Sequence, residues 1–403
     1  MRSAIVGVLF CSSLLWAGSP KEKPSETLAI TNVNIVDTRE PAIHPNATVI
    51  IKDGKIIALV KIAVLDPGPH VRIVNGGGKY LIPGLWDMNV HLSGPAALAW
   101  ESKTLLTLFL ASGVTGVRDL RGAEFHATGL RPEIIRGAGK PASQSTHTLE
   151  DLNEVMLNCS SREQEFRNNG GHSLDDPEMV SREIRQSYDP HKAWDYFVDL
   201  SNQATWMVPG LVSVNPVLDS AETAQAQFLP SSLAVSDTEE DEPDFQMAKK
   251  QEASRDLLLV HDMHRAGVQF LAGTNAPGIN LVPGFSLHRE LELLVRSGFS
   301  PFEALQTATF NPALYMAKLD KYGVVETGRA ADLVLLDDNP LVDIRNLDKI
   351  AAVVLHGEYL SREELERMLV REHPVTTTKR APTTRMPINS AIQHPSNPHP
   401  FGQ

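Results

Sequence analysis

Cysteine is nearly absent from this sequence of 403 residues, which contains only Cys11 and Cys159. Two cysteines cannot make a disulfide framework, and neither has a second cysteine at the two-residue spacing of a zinc knuckle or redox motif. Cys159 also has no evident histidine partner, so we expect it to be buried rather than nucleophilic. Small scaffolds that depend on disulfides are therefore excluded.

Long apolar runs and an excess of basic residues are missing as well. No segment after residue 19 approaches 18 consecutive apolar residues, so we expect no transmembrane helix. Lys and Arg number 37 against 49 Asp and Glu, which gives a net charge of −12. This sign is wrong for a surface that holds phosphates, so we expect no nucleic-acid partner. The sequence leaves open whether the protein forms an oligomer.

The two ends of the chain differ in composition from the middle. Met1-Arg2, an apolar run over 4–16 and small residues at 17–19 are typical of a secretory signal. We therefore expect residues 1–19 to be removed and the mature protein to be secreted or periplasmic. Residues 371–403 are rich in Pro, Thr, Asn and Ser, which predicts a disordered tail.

Residues 27–79 and 323–370 contain short β-like runs, and Lys52-Asp53-Gly54-Lys55 is a strong hairpin signal. These segments predict a small β-sandwich domain built from both chain ends. Between them, residues 80–322 alternate strand-like and helical patterns, which predicts an α/β unit with a parallel sheet. The five predicted strands are Tyr80–Trp86, Val114–Val117, Gln144–Leu149, Trp206–Val214 and Val268–Ala272.

Within residues 80–322 two helices are clearly marked. Leu287–Ser297 has a periodic apolar face and is followed by Gly298, a helix stop. Ser300-Pro-Phe-Glu303 is a capping box that predicts the start of the next helix. Residues 236–244 carry six carboxylates and no base, which is typical of a solvated loop.

Residues 80–92, Tyr-Leu-Ile-Pro-Gly-Leu-Trp-Asp-Met-Asn-Val-His-Leu, are the most informative stretch. They predict a buried strand with Asp87 and His91 at its carboxyl end, where parallel α/β barrels place their active sites. This stretch resembles the amidohydrolase superfamily, and its secreted imidazolonepropionase-like and prolidase-like branch most of all. Four further segments carry the same resemblance, namely 113–119, 272–278, 287–295 and 328–334.

The resemblance implies a TIM-barrel-like (β/α)8 fold beside the β-sandwich. It also implies zinc or another divalent metal at the barrel mouth, with a small-molecule amide or dipeptide as substrate. In the family the metal activates water to attack a carbonyl and hydrolyse an amide or other C–N bond. Coordination lowers the pKa of the water and polarises the carbonyl.

Two metal-site positions of the family carry amides in this chain. Family members open the site with His-x-His, whereas this chain has Asn89-Val90-His91, so only His91 is retained. The family's late Asp, a ligand and proton acceptor in Gly-Thr-Asp-Ala, is replaced by Asn275. An amide oxygen is a poor replacement for imidazole on zinc, and an amide cannot act as a general base near pH 7.

Two more residues are candidate metal ligands. His147, in the segment Ser-Thr-His-Thr-Leu, matches the position of a family His at the end of the sixth strand, and a loop histidine is the alternative. Asp151 could bind a metal, although a helix cap is the favoured role. His261 and His264 have an i, i+3 spacing that could chelate a metal, but we favour surface or packing roles for them. His288 could face the barrel mouth, and a structural role is the equally weighted alternative.

The chain is also short between Asp119 and His147. The family uses roughly a hundred residues there for three βα units, and this chain has about a third of that length. The bridging Lys and the His of the fifth strand have no counterpart. Five strands cannot close a barrel of eight, so we predict an incomplete barrel with unpaired strand edges near Val117 and Leu149.

These observations favour an amidohydrolase-family protein whose hydrolytic chemistry is impaired, a pseudoenzyme. One alternative is an active hydrolase with a single metal held by His91, His147 and a recruited group such as Asp151. The other is a secreted binding protein that uses exposed strand edges, the acidic loop or the Pro-rich tail.

Overall fold

The structure, a computed structural model, describes residues 27–61, 70–92, 95–120, 133–136, 147–168, 177–214, 226–230, 232–233 and 243–372. The predicted signal lies outside these residues, and so does the predicted tail apart from residues 371–372. Those two residues belong to a helix, so the tail prediction is wrong for them. Of the acidic stretch, only Pro243 and Asp244 are described, and they begin a helix rather than continue a loop.

Fourteen strands lie in the described part of the chain, and they form one large sheet and two small parallel sheets. In chain order they are β1 (Thr27–Val36), β2 (Ile43–Lys52), β3 (Lys55–Val60), β4 (Val71–Asn75), β5 (Tyr80–Pro83), β6 (Leu85–Val90), β7 (Val114–Asp119), β8 (Glu133–Arg136), β9 (Thr148–Leu149), β10 (Trp206–Met207), β11 (Gln269–Phe270), β12 (Leu333–Leu336), β13 (Ile350–Leu355) and β14 (Glu358–Ser361).

The large sheet combines strands from both ends of the described chain. Its order is β14-β13-β12-β5-β1-β2-β3, and β4 pairs with β1 beside β5. The antiparallel pairing of β12 with β5, with Leu333 opposite Pro83, joins the two chain segments. The β-sandwich that we expect from these segments stays a prediction as a separate domain.

The predicted hairpin at residues 52–55 is confirmed. Strands β2 and β3 pair antiparallel, with Lys52 opposite Lys55. The two turn residues Asp53 and Gly54 have φ of 51° and 72°. Positive φ at both central residues is the requirement of a type I′ turn, which Asp-Gly satisfies at little steric cost.

The parallel strands have the orders β6-β7-β8 and β11-β10-β9. The residues after β11 join these two sheets, because the Met88 amide donates to the Ala272 carbonyl at 2.8 Å and Val90 pairs with Ala276. The first parallel strand therefore lies beside the last, as in a barrel. Among the described residues no ladder links β8 to β9, and no closed barrel is formed.

Two strand predictions need correction. The described chain has six parallel strands, not five, because the short β8 was not predicted. Strand β7 is paired on both edges, with β6 and β8, so the unpaired edge predicted near Val117 is wrong. Strand β9 pairs with β10, and no ladder on its other edge occurs in the described residues.

Two predicted strands are also divided differently. Tyr80–Trp86 breaks at Gly84, so that β5 enters the large sheet and β6 the parallel strands. The predicted strand Trp206–Val214 is wrong beyond Met207, because the chain turns at Gly210, which has φ of 57°, and residues 211–214 are helical.

The α-helices are α1 (Ser102–Ala111), α2 (Leu152–Asn158), α3 (Glu163–Asn168), α4 (Pro177–Gln186), α5 (Pro190–Asn202), α6 (Leu211–Val214), α7 (Pro243–Arg265), α8 (Phe285–Arg296), α9 (Pro301–Thr307), α10 (Phe310–Tyr315) and α11 (Arg362–Glu372). Helix α8 is the one predicted at residues 287–297, and the capping box of Ser300 and Glu303 at the start of α9 is confirmed. Within the described ranges, no helix is long and apolar enough to span a membrane.

The core surrounds the parallel strands. Every residue of β6 and β7 is buried, which fits strands that are covered on both faces. Gly116 on β7 is required by a close approach, because a Cβ there would lie 2.3 Å from the Trp86 indole. Cys159 is fully buried, as predicted, and burial raises the pKa of its thiol to about 12.

Candidate functional site

The candidate site lies where β6 meets the segment that follows β11. Side chains alternate along a strand, so Asp87 and Asn89 share one face of β6, with His91 next in this series. Hydrogen bonds from the Thr274 and Asn275 amides to the Asn89 carbonyl, at 3.2 and 2.8 Å, fix the two segments together. The sequence therefore brings its two motifs, residues 87–91 and 273–276, into contact.

Asp87 ties these two motifs together. Its Oδ2 accepts from the Thr274 hydroxyl at 2.6 Å, and its Oδ1 accepts from the amides of Thr274 and Asn89 at 3.1 and 3.2 Å. Complete burial raises the pKa of this carboxyl to about 7, against the opposing effect of these hydrogen bonds and of Arg118. Both carboxyl oxygens thus have structural partners.

Asn89 and Asn275 lie on the two adjacent segments of the site. Asn89 is 1% exposed, and its Oδ1 accepts no hydrogen bond from any residue that the structure describes. Asn275 has φ of 60°, and its Nδ2 donates to the Ser213 hydroxyl at 3.0 Å. Two neutral amides therefore occupy the positions at which the family resemblance implies a His and an Asp.

The three other predicted ligands, His91, His147 and Asp151, do not lie together at the site. The His91 amide donates to the Ala276 carbonyl at 2.9 Å, which keeps His91 beside the site. His147 is exposed and directly precedes β9, so it lies at the amino end of that strand, whereas the site is at the carboxyl end of β6. Asp151 is exposed and caps α2, accepting from the Asn153 amide at 2.8 Å, which is the favoured role.

Arg118 is a buried charge that the sequence analysis missed. Its side chain is 0% exposed, and its Nε donates to the Met88 carbonyl at 2.7 Å. Its other nitrogens reach the Tyr315 hydroxyl at 3.3 Å and the Glu150 carboxylate at 2.5 Å. Because Glu150 directly follows β9, Arg118 connects β7 with the outer strand of the other parallel sheet, β11-β10-β9.

Glu290 on α8 is the second functional candidate that the sequence analysis missed. Its Oε2 accepts from the Val212 amide at 2.8 Å, while its Oε1 is buried and accepts no hydrogen bond from the described residues. Burial raises the pKa of Glu290 to about 8, hydrogen bonds from the 210–212 backbone oppose this, and nearby Asp87 adds to it. A signal was present, since a glutamate between Leu287 and Leu291 falls on the apolar face of the helix.

His288, His264 and His261 make contacts of a structural kind with neighbouring residues. The two ring nitrogens of His288 lie 2.7 Å from an Asp348 carboxylate oxygen and 2.8 Å from the Ser112 carbonyl. His264 stacks on Phe299 with ring centroids 3.9 Å apart. The ring of His261 lies 2.9 Å from the Ser297 carbonyl.

The donor set does not fit a catalytic zinc or similar metal. In the ranges described, no three side chains of His, Cys, Asp or Glu are arranged to hold a metal ion. The two motifs that contain His91 also contribute the amides of Asn89 and Asn275 and the carboxyl of Asp87, which already accepts three hydrogen bonds. Catalytic zinc is held by three imidazole, carboxylate or thiolate ligands, and neutral amides are poor substitutes.

Comparison with known proteins agrees with the motifs. Residues 211–360 match the amidohydrolase family. The fold matches a putative prolidase from Bifidobacterium longum with a TM-score of 0.55 and 22% identity, over 86% of this chain and 99% of that one. A Xaa-Pro dipeptidase with bound methionine matches at a TM-score of 0.53 and 16% identity, over 83% of this chain and 100% of that one.

Sequence relatives agree at low identity. An adenine deaminase from Oleidesulfovibrio alaskensis is 21% identical over 343 residues, which are 80% of this chain and 57% of that protein. An allantoinase from Desulfitobacterium hafniense is 36% identical over 67 residues, 17% of this chain and 14% of that one. This chain thus spans little more than half the length of the deaminase. The fold, the motifs and the match over residues 211–360 all resemble the amidohydrolase superfamily.

Proposed function

We propose that this protein is an amidohydrolase-superfamily member in which metal-dependent hydrolysis of C–N bonds is impaired. The names of its relatives, deaminase, allantoinase and prolidase, support C–N bonds of small molecules or dipeptides as the substrates of the family chemistry. The observation that carries the proposal is the contact between Asn89 and Asn275, two amides in place of a ligand and of a proton acceptor.

Amides at these two positions remove two separate requirements of hydrolysis. A metal-bound water needs ligands that hold the ion in an open coordination site, and Asn89 offers only a neutral oxygen. A general base must take up a proton near neutral pH, and the amide of Asn275 cannot do so. A change that restored only one of the two would leave the other requirement unmet.

Two carboxyls near the site, Asp87 and Glu290, do not replace them. Asp87 uses both oxygens to hold the 273–276 segment. Glu290 accepts hydrogen bonds from the 210–212 backbone. These two carboxyls thus have structural tasks, and neither belongs to a set of three ligands for a metal within the part of the chain that the structure describes.

A hydrolysis assay in the presence of zinc, manganese or cobalt tests the proposal against the active alternative. The full chain would be incubated with a panel of N-acyl amino acids and dipeptides, and products would be quantified by mass spectrometry. We expect no turnover above the buffer control, because water activation requires a held ion. Metal-dependent turnover that disappears in His91→Ala would contradict the proposal and support a single-metal hydrolase that uses His91.

A further inference from the structure

A cleft of about 420 Å³ lies among helices α2, α4 and α7, lined by none of the candidate-site residues. This volume is within the range of small-molecule sites. Its wall combines apolar, aromatic and charged side chains, namely Met156, Arg185, Gln186, Tyr188, Arg255, Leu258, Leu259 and Asp262.

Arg185 is the unusual member of this wall. Its side chain is only 8% exposed, and one terminal nitrogen reaches Asp256 Oδ1 at 3.4 Å while the other donates to the Ser181 hydroxyl. Its Nε is buried and makes no hydrogen bond with any described residue. Because this nitrogen has no accessible surface, a ligand in the cleft can reach Arg185 only through its terminal nitrogens, each of which carries a second N–H.

The other polar groups of the cleft favour an anion at this place. Arg255 is exposed and brings a second guanidinium to the same wall. Burial raises the pKa of Tyr188 to about 12, so its hydroxyl keeps its proton and can donate a hydrogen bond. Asp262, an acidic residue of the same wall, is seven residues beyond Arg255 on α7, about 10 Å further along the helix axis, and its negative charge also acts on Tyr188.

The apolar part of the wall determines the chemistry of the uncharged part of the ligand. Leu259 is 2% and Met156 4% exposed, so they form a closed apolar floor, while Leu258 is 62% exposed at the rim. A ligand that fills the cleft must therefore place an apolar group against these three side chains. Burial of that group would supply the favourable free energy, and the arginines would fix the orientation.

We propose that this cleft binds a small monocarboxylate with an apolar tail, its carboxylate at Arg185 and Arg255 and its tail against Met156, Leu258 and Leu259. Guanidinium groups match the planar geometry of a carboxylate and remain charged at all physiological pH values. The site is separate from Asn89 and Asn275, so the proposal does not depend on the hydrolytic state of the protein.

Calorimetric titration of the full chain with phenylacetate tests this proposal, and phenylacetamide is the matched ligand of nearly equal shape without the charge. We expect saturable binding of one phenylacetate per chain. Phenylacetamide is expected to bind at least about tenfold more weakly, because it cannot pair with the arginines.

Three variants assign the binding to this cleft. Arg255→Gln, an exposed position, is expected to weaken phenylacetate binding about tenfold, whereas Arg265→Gln, exposed further along the same helix, should leave it unchanged. Arg185→Gln/Asp256→Asn removes the buried charge together with its partner and should abolish binding; if it does not fold, Arg255→Gln decides. No saturable binding of phenylacetate, equal binding of the amide, or unchanged binding in the Arg255 variant would overturn the proposal.

Discussion

At the scale of single residues, burial determines the ionisation of the acids around the candidate site. Asp87 and Glu290 are both fully buried, and burial raises the pKa of the first to about 7 and of the second to about 8. Each carboxyl interacts unfavourably with the charge of the other, since their Coulombic interaction raises the pKa of Glu290 further. The site therefore favours protonated acids over a second negative charge.

The pKa of Glu290 has a consequence for stability. Its pKa of about 8 in the folded chain exceeds the ordinary value of 4.5, so the folded state holds a proton that the unfolded state releases between these values. The free energy of unfolding should therefore fall as pH rises from about 5 to 8. Glu290→Gln removes this contribution and should reduce the loss over that range by roughly 2 kcal/mol or more.

Urea unfolding of the wild type and the variant at pH 5.5 and pH 8 measures this difference. Glu292→Gln, on the same helix but only partly buried, is the matched control and should keep the pH dependence of the wild type. If the free energy of unfolding falls by the same amount between pH 5.5 and pH 8 in the wild type and in Glu290→Gln, then Glu290 does not hold a proton in the folded protein.

At the scale of secondary-structure elements, local signals predicted structure wherever the contacts were local. The Asp53-Gly54 hairpin, the Ser300 capping box and the apolar face of α8 depend on residues within a few positions of one another, and all three are observed. The prediction of a strand over Trp206–Val214 failed because its second half is held by Glu290, 78 residues away. That tertiary contact leaves no trace in the local pattern.

Strand β8 is a second element that could not be predicted from its local sequence. It is four residues long, and its register with β7 pairs Gly116 with Glu133 and Asp119 with Arg136. Only Ile134 and Ile135 are apolar, which is too short a run to distinguish a strand from a loop. Its pairing with β7, not its own sequence, reveals it.

The contact of β6 with β7 depends on a glycine. Because a Cβ at Gly116 would lie 2.3 Å from the Trp86 indole, Gly116→Ala forces the two strands apart or moves the ring. We expect a loss of about 3 kcal/mol in the free energy of unfolding, measured by chemical denaturation. The control Gly77→Ala, in a surface turn, should cost less than about 1 kcal/mol, and an equally small cost at Gly116 would contradict the close packing.

At the scale of the whole molecule, the sequence predicted the architecture through its motifs rather than through strand counting. The residues of β6 and the segment 272–276 carry the family resemblance and contact one another at the site, while Glu290 of α8, which carries it as well, accepts from the Val212 amide. The arrangement between β7 and β9 was less predictable. Much of that stretch lies outside the described residues, and the barrel is not closed within those that are described.

The first and last parallel strands lie side by side even without a closed barrel. The contact between β6 and the segment after β11 is sufficient to bring residues 87–91 together with residues 273–276. The family's site position is thus retained in the fold. Residues 89 and 275, where the family resemblance implies a His and an Asp, both carry neutral amides in this chain.

Zinc titration of the purified full chain, followed with a competing chromophoric chelator, tests this central claim most directly. We expect the wild type to bind less than about a tenth of an equivalent, and Asn89→His/Asn275→Asp to bind about one equivalent, because it supplies an imidazole and a carboxylate beside His91. Asn202→His/Asn168→Asp makes the same substitutions at exposed positions and should behave as the wild type. Near-stoichiometric zinc on the wild type, or no gain in the site variant, would contradict the claim that these two amides account for the impaired site.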